Sequence, residues 1–170
     1  MDILKTATDW AKDELFSTPF FILFGIGFVL ASIGFWQMGK TDIARAYILP
    51  TLVAGVLLIV IGSGLFFTNK ARIVQFKTDY NTDASAFVQS EIKRAESTLN
   101  EYQTIVFKVI PLIIVLAALI IIFINTPNWR AISITTIAML IVILLIDGTA
   151  HARIETYNKH LVSVAKNEKE

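Results

Sequence analysis

IVFKVIPLIIVLAALIIIFI, residues 105–124, decides the fold: Lys108 near its start is the one ionisable side chain in it. An α-helix needs roughly 20 apolar residues to cross a ~30 Å hydrocarbon core, where lipid offers no partner to backbone polar groups. Three further segments meet that requirement: Phe20–Met38, Tyr47–Phe67 and Asn128–Ile146. The whole chain agrees, with 170 residues that are 55% hydrophobic and 17% charged and a mean hydropathy of +0.63. This is the composition of a membrane protein. The fold class expected is therefore an all-α membrane protein with four transmembrane helices in a single membrane domain, residues 1–170.

The segments between the spans set the orientation. Lys5, Lys12, Lys70, Arg72, Lys77, Lys93, Arg94, Arg153, Lys159, Lys166 and Lys169 fall on one side, and only Lys40, Arg45 and Arg130 on the other. Lys108 can snorkel from the inner end of the third span. Lys and Arg accumulate on the cytoplasmic side, so both termini are expected there, in a multi-pass protein of a bacterial inner membrane. Trp36, Tyr47 and Trp129 sit at the opposite span ends, where an amphipathic ring is stable at headgroup level. The first apolar stretch lies behind a charged, acid-containing segment, Met1 to Pro19, and has no small-x-small cleavage site at its end, so it reads as a retained span.

A two-span unit recurs. Arg45-Ala46 with Thr51 returns as Arg130-Ala131 with Thr136, and TNKARI at 68–73 returns as TAHARI at 149–154. Residues 15–80 and 105–166 are thus expected to be tandem hairpins joined by a helix over 84–104. An even-span repeat keeps its orientation, which predicts a pseudo-twofold axis along the membrane normal.

Outside the spans the periodicity is helical. Val88, Ile92, Ala95, Leu99, Tyr102 and Val106 alternate at spacings of four and three, as do Ala150, Ile154, Tyr157, Leu161 and Val164, and Ile73, Phe76 and Tyr80 form a shorter run. Asp79-Tyr-Asn-Thr-Asp83 carries turn and N-cap chemistry between the first and second helical arms. These seams predict that the inner helix ends continue into a short cytoplasmic bundle. Ile3, Ala7 and Trp10 form a weaker face that either joins it or lies on the membrane surface.

Candidate chemistry is sparse. Asp147, His151 and Glu155 at i, i+4 and i+8 share a helix face at the inner boundary, where two carboxylates and an imidazole could bind a divalent metal or move protons. The competing reading pairs them with Arg72 or Lys70. Arg72 and Arg153, in the recurring Ala-Arg-Ile, are read as lipid-phosphate or interhelix contacts. Gly55 and Gly62 on the second span, and Gly27 with Ala31 on the first, are small residues that let helices approach. Pro19, Pro50 and Pro111 lie near span starts, where a missing N–H matters least.

Several function classes fall away. The net charge of +1, with dispersed Lys and Arg, gives no hold on nucleic acid, and the absence of cysteine removes disulfides, thiolate metal sites and thiol catalysis. No cofactor is expected. The four-span layout with cytoplasmic termini resembles that of bacterial membrane immunity proteins against pore-forming colicins, in layout alone. Small multidrug exporters share the span count, yet the glutamate they carry in the first span is missing. The function expected is non-enzymatic and works by protein–protein interaction, in regulation, assembly or immunity, with lipids as further partners and homo-oligomerisation open. The alternatives are an oligomeric channel lined by residues such as Thr51 and Thr136, and a membrane-boundary enzyme built on Asp147, His151 and Glu155.

Overall fold

The structure, a computed structural model, describes residues 3–167. Lys169, counted above on the cytoplasmic side, lies outside them. Every regular element among the described residues is helical: α1 (Ile3–Met38), α2 (Asp42–Ala46), α3 (Ile48–Thr82), α4 (Ala84–Glu101), a π-helical segment (Tyr102–Val109), α5 (Ile110–Phe123) and α6 (Pro127–Asn167). Four helical runs are long and apolar enough to cross a membrane, and the protein is a multi-pass membrane protein on that ground. With 36 residues in α1, 35 in α3 and 41 in α6, each of these helices is far longer than the roughly 20 residues that a bilayer needs.

The surplus length packs into a bundle. Ile3, Ala7 and Trp10 of α1 meet Phe76 of α3, Val88 and Ala95 of α4, and Ile154, Tyr157 and Leu161 of α6 in one buried core. The N-terminal face thus joins the core. Asp83 separates α3 from α4 in extended conformation, and its Oδ1 accepts from Ala86 N–H at 2.9 Å, which starts α4. At the other end, Thr41 caps the short α2 in the same way.

In the apolar half, α1 and α3 approach closely at Gly25, Gly55 and Gly62. A Cβ placed on Gly55 would lie 2.7 Å from the Gly25 carbonyl oxygen, and one on Gly25 would lie 2.8 Å from the Gly55 carbonyl oxygen. Backbone cannot yield as a side chain does, so this crossing depends on both glycines. Gly62 seats Phe21 and Ile22 of α1. The expectation for the first span was misplaced by two residues: Gly27 has open space where a Cβ would stand, and Ala31 is exposed. Within the apolar segment 20–38 of α1 the buried small positions are Gly25 and Ser32, seven residues apart, and the Ser32 hydroxyl donates to the Ile48 carbonyl at 2.7 Å.

Pro19 also departs from expectation, because α1 runs through it without a break. An interior proline leaves the carbonyl four residues earlier without its N–H donor. That carbonyl belongs to Leu15, and the Thr18 hydroxyl donates to it at 3.0 Å. Pro111 is accommodated differently. It cannot donate to the Phe107 carbonyl and its ring crowds that group, and the turns just before it widen to π-helical bonding, with Ile110 N–H donating to Ile105.

The two hairpins pack unlike one another. Cα atoms of α5 come within 8 Å of those of α6 but of neither α1 nor α3. The third span therefore stands at the edge of the assembly, and α3 nowhere approaches the π-helical segment within the same distance.

Candidate functional site

Polar side chains from every long helix meet inside the bundle, against its buried core. At its centre is Glu91 of α4, 5% exposed. Its two carboxylate oxygens accept from Arg94 Nε at 2.9 Å and Arg94 Nη2 at 2.6 Å, and Tyr157 of α6 donates its hydroxyl to Oε2 at 2.9 Å. A bidentate, charge-assisted pair of this kind is among the stronger polar contacts, and desolvation makes it costly to leave half-formed. Trp10 of α1 closes the arrangement. Its ring stacks on Tyr157 with centroids 5.1 Å apart, and the Arg94 guanidinium lies 4.4 Å over it.

A second tie crosses from α6 to α1, where Arg153 Nε donates to Glu14 Oε1 at 2.9 Å. Arg153 is thus an interhelix contact, while its Nη2 is buried without a partner. Arg72 of α3 reaches only the Asn69 side chain on its own helix, at 3.0 Å, with Trp10 beneath it at 6.0 Å.

The electrostatics follow from burial. Burial lowers the basicity of Arg72, and the like charge of Arg94 adds to this. For Arg94 burial acts in the same sense, but the hydrogen bonds and charge of Glu91 outweigh it and hold the guanidinium more firmly protonated. Burial and then the Glu91 charge push the Tyr157 hydroxyl up, and burial followed by the Asp147 charge does the same to Tyr102. Asp147, the first residue past the apolar segment 128–146, is pushed up to about 6 by burial and by the nearby Glu14 carboxylate.

Asp147, His151 and Glu155 do not converge. Asp147 lines a cavity with Glu14 and Arg72, the His151 ring packs edge-on against Tyr102 and Phe107, and Glu155 turns outward to Lys159 Nζ at 2.6 Å. Steps of four residues advance about 40° beyond a full turn each, so the first and last of the three diverge by about 80°. No group of three or more His, Asp or Glu among the described residues is placed to hold a metal ion. Neither Arg72 nor Lys70 forms the ion pair expected with this face.

The cavity has a volume of about 370 Å³ and is walled by α1, α3, α4, the π-helical segment and α6. Leu65 and Ile105 form its apolar edge, and Arg94 and Thr98 its bundle-side edge. At the other end of the spans, a groove of about 540 Å³ between α3 and α6 is lined by Leu49, Val53 and Ile132, and by Arg45 of α2. There the hydroxyls proposed for a pore are spent inside the protein in part: Thr51 donates to the Tyr47 carbonyl at 2.7 Å, while Thr136 lines the groove.

Glu91, Arg94 and Glu14 were not singled out from sequence. Glu91 lies three residues after Val88 and four before Ala95, which is an inward position on the seam, and a charge there followed three residues later by Arg is the signal that marks a buried pair. Comparisons with protein-family models, with curated proteins and with solved structures found no match to this chain.

Proposed function

We propose that this chain is a non-enzymatic protein of the bacterial inner membrane that acts by binding another protein through its bundle, which lies in the cytoplasm. The observation carrying this reading is continuity: α1, α3 and α6 pass unbroken from the apolar half into a bundle held by the Glu91–Arg94–Tyr157–Trp10 cluster. A rigid body outside the bilayer, joined to it by whole helices, is suited to present a fixed surface or to pass on the state of the spans. The Lys and Arg asymmetry supports the cytoplasmic side. The recurrences at 45–51 and 130–136, and at 68–73 and 149–154, support descent from a duplicated hairpin. Regulation, assembly and toxin immunity are roles of this kind.

The surface in question includes the outward face of α4, where Lys93, Glu96 and Asn100 are exposed. Protein purified from cells after crosslinking is expected to bring down a stoichiometric partner with the wild type and less of it with Glu96→Lys, while His151→Ala leaves capture intact. Reporter fusions at Gly39 and Asn128 should read outside, and one after Asp79 inside. Single-channel currents altered by Thr51 or Thr136 substitution would replace this reading with the channel. A stoichiometric metal lost in His151→Ala would replace it with the enzyme.

A further inference from the structure

The 370 Å³ cavity at the junction is poorly matched by its own walls. Glu14 and Arg94 are neutralised by Arg153 and Glu91, and Glu101 is exposed, whereas the two half-buried lining charges, Arg72 and Asp147, have no counterion. Arg72 uses one donor, on Asn69, of the five that a guanidinium offers, and Asp147 has neither an ion pair nor a hydrogen-bond donor. These two groups come from different helices, α3 and α6. Trp10, 8% exposed and on the same wall, has an indole N–H with no partner. Arg72 and Asp147 are half-buried, and unmatched groups of opposite sign around one space describe the complement of an occupant.

The position of the cavity identifies the source of that occupant. Leu65 lies within the second apolar segment, Ile105 opens the third and Asp147 follows the fourth, so the space sits at headgroup depth on the bundle side. α3 and the π-helical segment, which both line it, stay more than 8 Å apart at every Cα. A widened π-helical turn at a wall is a common way to open room at a binding site. The volume is within the ~300–1,000 Å³ range of small-molecule sites.

We infer that this cavity holds the headgroup of an aminophospholipid from the bundle-side leaflet, its phosphate on Arg72, its primary ammonium on Asp147, and its chains leaving past Leu65 and Ile105. A phosphate takes charge-assisted hydrogen bonds from a guanidinium, and a primary ammonium brings N–H donors to a carboxylate that has none. Phosphatidylglycerol lacks the cation, and the quaternary ammonium of phosphatidylcholine lacks the N–H donors.

The test is native mass spectrometry of the full chain released from nanodiscs that hold equal parts of phosphatidylethanolamine, phosphatidylglycerol and phosphatidylcholine. The wild type is expected to retain one phosphatidylethanolamine in preference to the others by about tenfold, the scale of one good ion pair. Asp147→Asn, which keeps the shape of the site, should abolish that preference while still retaining phospholipid. Arg72→Gln should lower retention of all three, and Arg72→Lys should restore it in part. Equal retention of the three lipids by the wild type overturns the inference, as does a preference untouched by Asp147→Asn in protein whose melting temperature shows it folded. Saturable binding of soluble glycerophosphoethanolamine without retained lipid overturns the membrane source.

Discussion

Replacing Glu91 by Ala tests whether this buried cluster holds the bundle together. The carboxylate accepts three hydrogen bonds, two from Arg94 and one from the Tyr157 hydroxyl, and its side chain is 7% exposed. Removing one partner of a buried pair costs about 3–5 kcal/mol, because the other charge is left without a counterion. The Arg94 side chain is 22% exposed and stays over the Trp10 ring, so some of its charge is met by water and by the indole face. This places Glu91→Ala near the lower figure, about 3 kcal/mol. At about 2–4 °C per kcal/mol for a chain of this size, the melting temperature should fall by about 6–12 °C. The reporter is the near-ultraviolet signal of Trp10, isolated by Trp36→Phe and Trp129→Phe among the three tryptophans, during heating in one detergent. The double variant Glu91→Leu with Arg94→Met leaves no unpaired charge and should recover more than half of the loss. A drop of under about 2 °C for Glu91→Ala, or a double variant less stable than the single, would refute the buried-pair argument.

Three further outcomes are expected. Gly55→Ala should destabilise the hairpin of α1 and α3 by at least about 2 kcal/mol, since its Cβ meets the Gly25 backbone, whereas Gly27→Ala, with nothing in its path, should gain up to about 1 kcal/mol of helix propensity; reversible unfolding in mixed micelles ranks the two. Thr18→Val should lose about 1 kcal/mol in the same assay, by stripping the Leu15 carbonyl of the hydroxyl that replaces the Pro19 N–H. Asp147→Asn should stabilise the protein in a pH-dependent way. Burial and Glu14 of α1 hold this carboxyl up at about 6, against an ordinary value of 3.8; Arg72 of α3, Arg94 and Glu101 of α4 and Tyr102 of the π-helical segment line the same cavity, and His151 and Arg153 are the nearby titratable or charged groups of α6. A raised carboxyl favours the folded state below pH ~4 and loses that contribution as pH rises through ~6, so the variant should match the wild type at pH 4 and exceed it by about 1–2 kcal/mol at pH 8. A difference that is constant across that range would remove Asp147 from the cavity.

The sequence by itself was enough for whatever repeats along the chain. Four apolar runs of bilayer length name four long helices, because lipid leaves the backbone no other way to satisfy itself. The seam from Val88 to Val106 and the one from Ala150 to Val164 name a bundle, because a stripe at spacings of three and four has to be buried against something. Tertiary structure alone decided which neighbours meet. Gly25 rather than Gly27 faces α3, since the rotation of a helix about its axis is set by its partner and every side of a span is apolar. Glu91, Tyr157 and Trp10 come from positions 66 to 147 residues apart along the chain, as the positions 157, 91 and 10 show, and no local period links them. Asp147, His151 and Glu155 share a face in sequence and separate in space, because the helix turns about 40° further at each step and three different surroundings claim the three side chains.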